Sequence, residues 1–325
     1  MTFAFGSWWA DLPLFIAGVF LLVKGSDRFV DAAAALARRF GVSEFVIGLT
    51  LVSIGTSLPE LASSVCASLQ GASGFIIGNI VGSNIANIAL ILGAALVLGG
   101  TMEFDRLCSR RDMPILLGAG VLLAVWFCGG WDLPEGRGFG RVGGALFLAG
   151  GVLYTLLLCK QRGGSAEESG SGELMSSGRA AALIVLGLAM ITAGARLMVD
   201  TVVVTAHRWG VDPLVISITV VAVGTSLPEL AVTISGVLKK RSDIALGNII
   251  GSGIYNLLLI IGCCAAIAPL CTEGHSSLTA LAVMNFIALL LWIFMIASKR
   301  LRRWHGWVFL LLYAGFVAWS AVFCR

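Results

Sequence analysis

The chain has 325 residues, of which 58% are hydrophobic and only 12% are charged. Soluble domains carry about 25% charged residues, so this chain cannot cover a water-facing surface and is predicted to be an all-α, polytopic membrane protein. The net charge is +4, and the positive residues form no long basic face. A nucleic-acid binder is therefore excluded.

Ten segments are apolar enough to cross the membrane, which takes about 20 helical residues. They are 12–34, 44–69, 73–99, 112–130, 138–159, 180–204, 212–238, 243–269, 277–297 and 305–323. We expect a first half over 1–159 and a second half over 180–325, each with five spans. The segment 160–179 is rich in Gly, Ser and Glu and is predicted to be a linker. The N-terminus has no basic region before its first apolar run, so we expect no cleaved signal.

Lysine and arginine are distributed unevenly between the predicted loops. With the N-terminus outside, fifteen of them fall in inside loops and four in outside loops. Because positively charged loops remain cytoplasmic, both termini are predicted to lie outside and the linker inside. The expected location is a bacterial inner (plasma) membrane.

Residues 25–93 are repeated as residues 194–262, without a gap and at an offset of 169. By direct comparison, 31 of the 69 aligned positions are identical. The copies begin five predicted spans apart, and since five is odd, the second copy enters the membrane from the opposite side. We therefore expect inverted-topology repeats, the architecture that gives secondary transporters alternating access to a site at mid-membrane.

Each repeat places one carboxylate in the middle of a predicted span, within the motif GTSLPE. These carboxylates are Glu60 and Glu229. Ionisable groups at that depth are costly and usually functional. Because Pro59 and Pro228 lack an N–H, each motif also frees a backbone carbonyl oxygen.

The second motif of each repeat, GN-x-x-GS-x-x-x-N, adds neutral oxygens. Ser83 and Asn87 are four residues apart on one helix, and so are Ser252 and Asn256, so that each pair shares a helix face. The alternative interpretation of such residues, above all of the asparagine that opens each motif, is hydrogen bonding between helices.

Oxygen ligands of this kind suit hard cations. The eight cysteines show no metal-binding spacing, and His207, His275 and His305 lie near span ends. Two carboxylates with hydroxyls and carbonyls match the ligands of Ca²⁺ and also suit Na⁺, whereas Mg²⁺ gives up its waters reluctantly. We expect transported ions and no resident cofactor.

GTSLPE, present twice, together with GNIVGSNIAN and GNIIGSGIYN, resembles the two alpha repeats of the sodium/calcium exchanger family within the calcium:cation antiporters. The resemblance covers 25–93 and 194–262. It implies ten helices, an outside N-terminus and exchange of Na⁺ for Ca²⁺ at central sites, as in a bacterial-type calcium/sodium antiporter.

The resemblance also implies a ligand set. Glu60 and Glu229 would bind Ca²⁺ with the carbonyls of Thr56 and Thr225. The remaining Na⁺ and Ca²⁺ ligands would be Ser57, Ser83, Asn87, Ser226, Ser252, Asn256 and the backbone at Ser53 and Ala222. Some relatives, typically the potassium-dependent ones, have Asp where this chain has Asn256, so K⁺ cotransport is not expected.

Other functions would require other residues or another architecture. An intramembrane hydrolase would need a base beside Ser57 or Ser226, and the motifs contain neither His nor Lys. A channel gains nothing from an inverted repeat with nearly duplicate sites. A proton-coupled or other divalent-cation/H⁺ antiporter remains an alternative interpretation.

The expected partners are Ca²⁺ and Na⁺ as substrates and the lipid bilayer. No nucleic acid or protein partner is indicated, and the protein is not expected to be an enzyme.

Overall fold

The protein is built almost entirely from helices. The computed structural model describes residues 8–129, 138–160, 175–208, 222–271, 275–298 and 300–323. Within these ranges the helices are, in chain order, α1 (Trp8–Phe40), α2 (Glu44–Thr56), α3 (Leu58–Leu69), α4 (Ser73–Gly99), α5 (Cys108–Gly129), α6 (Arg141–Lys160), α7 (Ser177–Arg208), α8 (Ala222–Thr225), α9 (Leu227–Leu238), α10 (Ser242–Ile267), α11 (His275–Ala297) and α12 (Arg303–Phe323).

The predicted helical architecture is confirmed, and the helices follow the predicted spans closely. In the described part of the chain, six helices (α4, α5, α6, α7, α10 and α11) contain stretches long and apolar enough to cross a membrane, and the bent pair of α2 and α3 makes a seventh. Residues 212–221 of the predicted seventh span and 161–174 of the linker lie outside the described residues. The count of ten spans stays a prediction.

Apolar side chains cover the outer surface of the helices. Leu12, Phe20, Leu153, Val185 and Ile296 are each more than half exposed. Exposed apolar surface on this scale is unfavourable in water but matches a hydrocarbon environment. The buried set, in contrast, includes many Ser, Thr and Asn side chains. The polar groups of this protein therefore gather in its interior.

Both GTSLPE motifs break a helix. At Ser57 the backbone has φ −84° and ψ 5°, and at Ser226 it has φ −91° and ψ 6°. The helix axis turns by 46° between α2 and α3. Pro59 and Pro228 then lie in the first turn of α3 and α9, where the helix does not need their missing N–H.

Helices α1 and α7 pack through glycines in a reciprocal pattern. A Cβ atom on Gly194 would lie 2.6 Å from the Gly18 carbonyl oxygen, and one on Gly187 would lie 3.0 Å from the Gly25 carbonyl oxygen. At the repeat offset, Gly18 corresponds to Gly187 and Gly25 to Gly194. The second contact is thus the repeat image of the first, and the two backbones approach more closely than side chains would allow.

Two short strand pairs join distant loops. Strand β1 (Met102–Glu103) pairs antiparallel with β4 (Arg300–Leu301), and β2 (Gly138–Phe139) pairs antiparallel with β3 (Leu270–Cys271). β1 follows α4 and β3 follows α10, so these two strands occupy corresponding places in the two halves. Each pair therefore ties one half of the chain to the other.

A charged cluster joins the end of α9 to α1. Lys239 Nζ lies 2.6 Å from Asp31 Oδ2 and donates to the Asp27 carbonyl oxygen at 2.7 Å. Ser235 Oγ donates to Asp27 Oδ1 at 2.7 Å. In the first repeat the position equivalent to Lys239 is Gln70. The lysine of this cluster therefore has no counterpart in the first repeat.

Candidate cation-binding site

The predicted site residues meet in the interior, where the broken ends of α3 and α9 face α4 and α10. Ten of the twelve are at most 3% exposed: Ser53, Thr56, Ser57, Glu60, Ser83, Asn87, Ser226, Glu229, Ser252 and Asn256. Thr225 is half-buried, and Ala222 is the first residue of α8. The sequence motifs thus converge on one enclosed, polar region.

The two carboxylates occupy equivalent places in the broken helices. Glu60 lies in the first turn of α3 and Glu229 in the first turn of α9. A helix N-terminus carries partial positive charge and stabilises a carboxylate. Both carboxylates are buried, at 1% exposure each. A buried charge is costly unless it is paired, so a cation beside them would stabilise both.

The serine hydroxyls beside the carboxylates make different bonds in the two repeats. Ser57 Oγ donates to Glu229 Oε1 at 2.9 Å, so it links the first motif to the carboxylate of the second. Ser226 Oγ is 3.3 Å from Ser83 Oγ. The site is therefore built from both repeats without being symmetric in detail.

Threonine and asparagine side chains connect the repeats in two matching bonds. Thr56 Oγ1 donates to Asn248 Oδ1 at 3.0 Å, and Thr225 Oγ1 donates to Asn79 Oδ1 at 3.4 Å. Thr225 is the repeat equivalent of Thr56, and Asn248 is the repeat equivalent of Asn79. The same contact thus occurs twice, once in each direction.

The nitrogens of these asparagines hold neighbouring helices. Asn248 Nδ2 donates to Thr233 Oγ1 at 3.1 Å and to the Glu229 carbonyl oxygen at 3.3 Å, and Asn79 Nδ2 lies 3.4 Å from Ser64 Oγ. Neither asparagine is in the predicted ligand set, and the contacts match the alternative interpretation of hydrogen bonding between helices. The sequence gives one sign of this role: an asparagine occupies the second position of the GN-x-x-GS-x-x-x-N motif in both repeats.

Buried oxygens without hydrogen-bond donors mark the same region. Within the part of the chain that the structure describes, Glu60 Oε2, Glu229 Oε2, Asn87 Oδ1, Asn256 Oδ1 and Ser252 Oγ have no hydrogen-bond partner. Buried polar atoms are nearly always paired, and an unpaired one costs free energy. The first four atoms form two pairs of repeat equivalents, Glu60 with Glu229 and Asn87 with Asn256. Because equivalent oxygens are unpaired in both repeats, we interpret them as a feature of the site.

The two asparagine ligands predicted from the sequence lie on turns of π-helix. Asn87 falls in the π-helical stretch Ala86–Leu92 of α4, and Asn256 begins the stretch Asn256–Ile261 of α10. Single π-turns inside α-helices are often found at functional sites. The two repeats thus share a local distortion as well as a sequence at this point.

The donor set favours a hard cation. Among the described residues, no three His, Cys, Asp or Glu side chains are grouped as for a transition-metal site. Two carboxylates with neutral oxygens match Ca²⁺ or Na⁺ instead. The Ser53 carbonyl oxygen, a predicted ligand, already accepts from Ser57 N–H at 3.1 Å.

Known proteins share both the sequence and the fold of this chain. The family described as sodium/calcium exchanger protein matches residues 11–160 and 179–322. The sodium/calcium exchanger MaX1 of Methanosarcina acetivorans is 38% identical over 94% of this chain and 96% of its own length. The inner membrane protein YrbG of Escherichia coli is 38% identical over 95% of each chain.

A solved structure has the same architecture. The sodium-calcium exchanger NCX_Mj, in a crystal soaked with zero Na⁺ and Ca²⁺, superposes with a TM-score of 0.82 at 32% identity, covering 95% of this chain and 98% of that one. The family resemblance identified from the two pairs of motifs is thus confirmed. Both MaX1 and NCX_Mj are named as sodium/calcium exchangers. The chain belongs to the sodium/calcium exchanger protein family.

Proposed function

We propose that this cation antiporter exchanges Na⁺ for Ca²⁺ across the membrane, with both ions binding in turn at the central site of oxygen ligands. The observation that carries the proposal is the set of buried, unpaired oxygens on Glu60, Glu229, Asn87 and Asn256. These atoms come from both repeats, lie in one enclosed region and provide only acceptors. A bound cation would satisfy all of them at once.

The ligand roles follow the charge of each group. Glu60 and Glu229 together supply a formal charge of −2, which balances one Ca²⁺, and the carbonyls of Thr56 and Thr225 complete that site. The neutral ligands complete the Na⁺ and Ca²⁺ sites: Ser57, Ser83, Asn87, Ser226, Ser252, Asn256 and the backbone at Ser53 and Ala222. Because Asn256 is neutral, the site offers no third carboxylate for an additional K⁺.

Alternating access would use two inverted five-helix halves, 1–159 and 180–325, joined by the linker 160–179. The reciprocal glycine contacts between α1 and α7 support this division, since one contact is the repeat image of the other. The strand pairs β1–β4 and β2–β3 support it in the same way. A pseudo-twofold axis in the membrane plane would relate the halves and pass near the site.

The orientation rests on the loop charges. The excess of Lys and Arg supports a cytoplasmic position for the linker and for the charged cluster around Lys239, with both termini outside. YrbG is an inner membrane protein of a bacterium, which supports an inner-membrane location.

Flux into vesicles tests the antiport. The full-length protein is reconstituted into proteoliposomes loaded with Na⁺ or with choline, and uptake of ⁴⁵Ca²⁺ is measured at equal external Na⁺. We expect uptake only with internal Na⁺, and we expect it to stop when the Na⁺ gradient is collapsed. Equal uptake with internal choline would identify a channel. Uptake driven by a pH gradient without Na⁺ would identify the proton-coupled alternative.

A further inference from the structure

Asn84 lies beside the site and faces hydrogen-bond acceptors with its amide nitrogen. Its Nδ2 is 3.2 Å from the Gly253 carbonyl oxygen and 3.7 Å from the Met284 sulfur. A carbonyl oxygen and a thioether can accept hydrogen bonds but cannot donate them. The nitrogen of Asn84 is therefore held on this side, and its Oδ1 lies on the other side of the amide.

Asn256 contacts that oxygen. Since Asn84 Oδ1 only accepts, Asn256 has to present its own nitrogen, and its Nδ2 donates to Asn84 Oδ1 at 3.0 Å. The oxygen of Asn256 is then directed away from Asn84. That oxygen is one of the buried atoms with no partner among the described residues. The Gly253 carbonyl therefore determines, through Asn84, which atom Asn256 offers to an ion.

The repeats differ at the position that does this. The repeat equivalent of Asn84 is Gly253, which has no side chain. Asn87, the repeat equivalent of Asn256, therefore has no matching asparagine from the second half to hold its amide. Asn84 and Gly253 thus work as one unit, in which one residue supplies the side chain and the other the carbonyl.

The space around Asn84 limits its rotation. Behind it lies a cavity of about 10 Å³, lined partly by Leu116, Met284 and Asn285. A cavity of that size holds at most about one water molecule. Asn285 lines the same cavity, and its Nδ2 donates to the carbonyl oxygen of Leu281 in its own helix, which makes it a matched comparison.

We propose that Asn84 is a positioning residue that fixes Asn256 with its oxygen toward the transported cation. This inference rests on the proposed function, because it assumes that Asn256 is a ligand. The cation contacts Asn256, and Asn84 acts on the cation only through Asn256. Without Asn84 the Asn256 amide is free to turn, and its nitrogen would repel a cation for part of the time.

Kinetics of the reconstituted protein test the inference. In Na⁺-loaded proteoliposomes, Asn84→Leu should raise the KM for Ca²⁺ about tenfold while kcat changes less than twofold. A purely structural role would reduce the amount of folded protein and leave KM unchanged. Asn285→Leu makes the same substitution in the same cavity and should leave KM within twofold. Asn84→Ser, whose hydroxyl is too short to bridge Gly253 and Asn256, is the second variant in case Asn84→Leu does not fold.

A double-mutant cycle separates action through Asn256 from direct action on the ion. In an Asn256→Ala background, Asn84→Leu should change the KM for Ca²⁺ less than twofold, since the side chain to be positioned is gone. A tenfold change in that background, or an unchanged KM for Asn84→Leu alone, would overturn the inference. Absence of Na⁺-dependent uptake by the unmodified protein would instead overturn the proposed function.

Discussion

Thr56 of the first repeat and Asn248 of the second are joined by a hydrogen bond of 3.0 Å, and the repeat-equivalent pair, Thr225 and Asn79, is joined by one of 3.4 Å. The pairs connect the halves of the chain on either side of the carboxylates. Their unequal lengths indicate that the duplicated residues contribute unequally to the stability of the fold.

This inequality predicts unequal effects of substitution. Asn248→Ala removes bonds to Thr56, Thr233 and the Glu229 carbonyl, whereas Asn79→Ala removes two bonds of 3.4 Å. At about 0.6 kcal/mol for each hydrogen bond between membrane helices, Asn248→Ala should cost about 2 kcal/mol and Asn79→Ala about 1 kcal/mol or less. Thermal unfolding of the purified proteins in detergent measures the difference. Equal shifts in Tm would show that the bond lengths carry no energetic meaning.

The carboxylates predict a loss of transport without a loss of fold. Glu60→Gln or Glu229→Gln keeps the shape of the side chain but halves the formal charge of the site. Ca²⁺ would then carry an uncompensated charge in a dry interior, so ⁴⁵Ca²⁺ uptake should fall to background. Glu103→Gln, at an exposed side chain on β1, makes the same chemical change and should leave uptake unchanged. Substantial Na⁺-dependent uptake by either site variant, at normal expression, would remove that glutamate from the site.

The fixed site charge also predicts a response to voltage. More than two Na⁺ per Ca²⁺ moves net charge, and three Na⁺ would move one charge per Ca²⁺. A membrane potential is worth about 2.3 kcal/mol per charge per 100 mV, so a potential of about 60 mV should shift the Ca²⁺ gradient at equilibrium about tenfold. Proteoliposomes clamped with valinomycin at several potentials provide the measurement. A gradient independent of potential would mean two Na⁺ per Ca²⁺.

The glycine contacts predict a local steric effect. Gly194→Ala would place a Cβ 2.6 Å from the Gly18 carbonyl oxygen and 2.7 Å from the Leu22 nitrogen, both of them backbone atoms that cannot turn aside. We expect a lower Tm and slower exchange, because α1 and α7 would have to separate. Gly178→Ala in the same helix meets no atom within 4 Å and should leave both quantities unchanged. Matching Tm values for the two variants would contradict the close packing.

The sequence predicted local structure well where one motif sufficed. The span 73–99 coincides with α4 (Ser73–Gly99), whereas the span predicted as a single helix over 44–69 is divided at Ser57 into α2 and α3. The first span, predicted as 12–34, extends to Trp8–Phe40, because a helix continues into water with polar residues that a hydrophobicity argument leaves out.

Contacts between distant residues could not be predicted in the same way. The repeat offset shows which residues are equivalent but not which ones touch, and Asn84 touches Gly253 and Asn256 on another helix. Neither Asn84 nor Gly253 is charged, so the sequence difference between them does not point to a role in ion binding. The consequence of this difference is geometric, because it depends on the contact between the Asn84 amide nitrogen and the Gly253 carbonyl oxygen.

The cluster of Lys239, Asp27 and Asp31 would give the two ends of an inverted pair of halves different electrostatic energies. Two identical halves related by a pseudo-twofold axis would make the inward-open and outward-open forms equal in free energy. Gln70 and Arg196 stand at the positions equivalent to Lys239 and Asp27, so the cluster is not repeated and this equality does not hold. Exposed ion pairs contribute only about 0.2–1 kcal/mol, yet that is enough to change a balanced ratio of two forms by up to about fivefold. The resting direction of such a protein can therefore be set by residues far from the ion, through substitutions that leave every ligand in place.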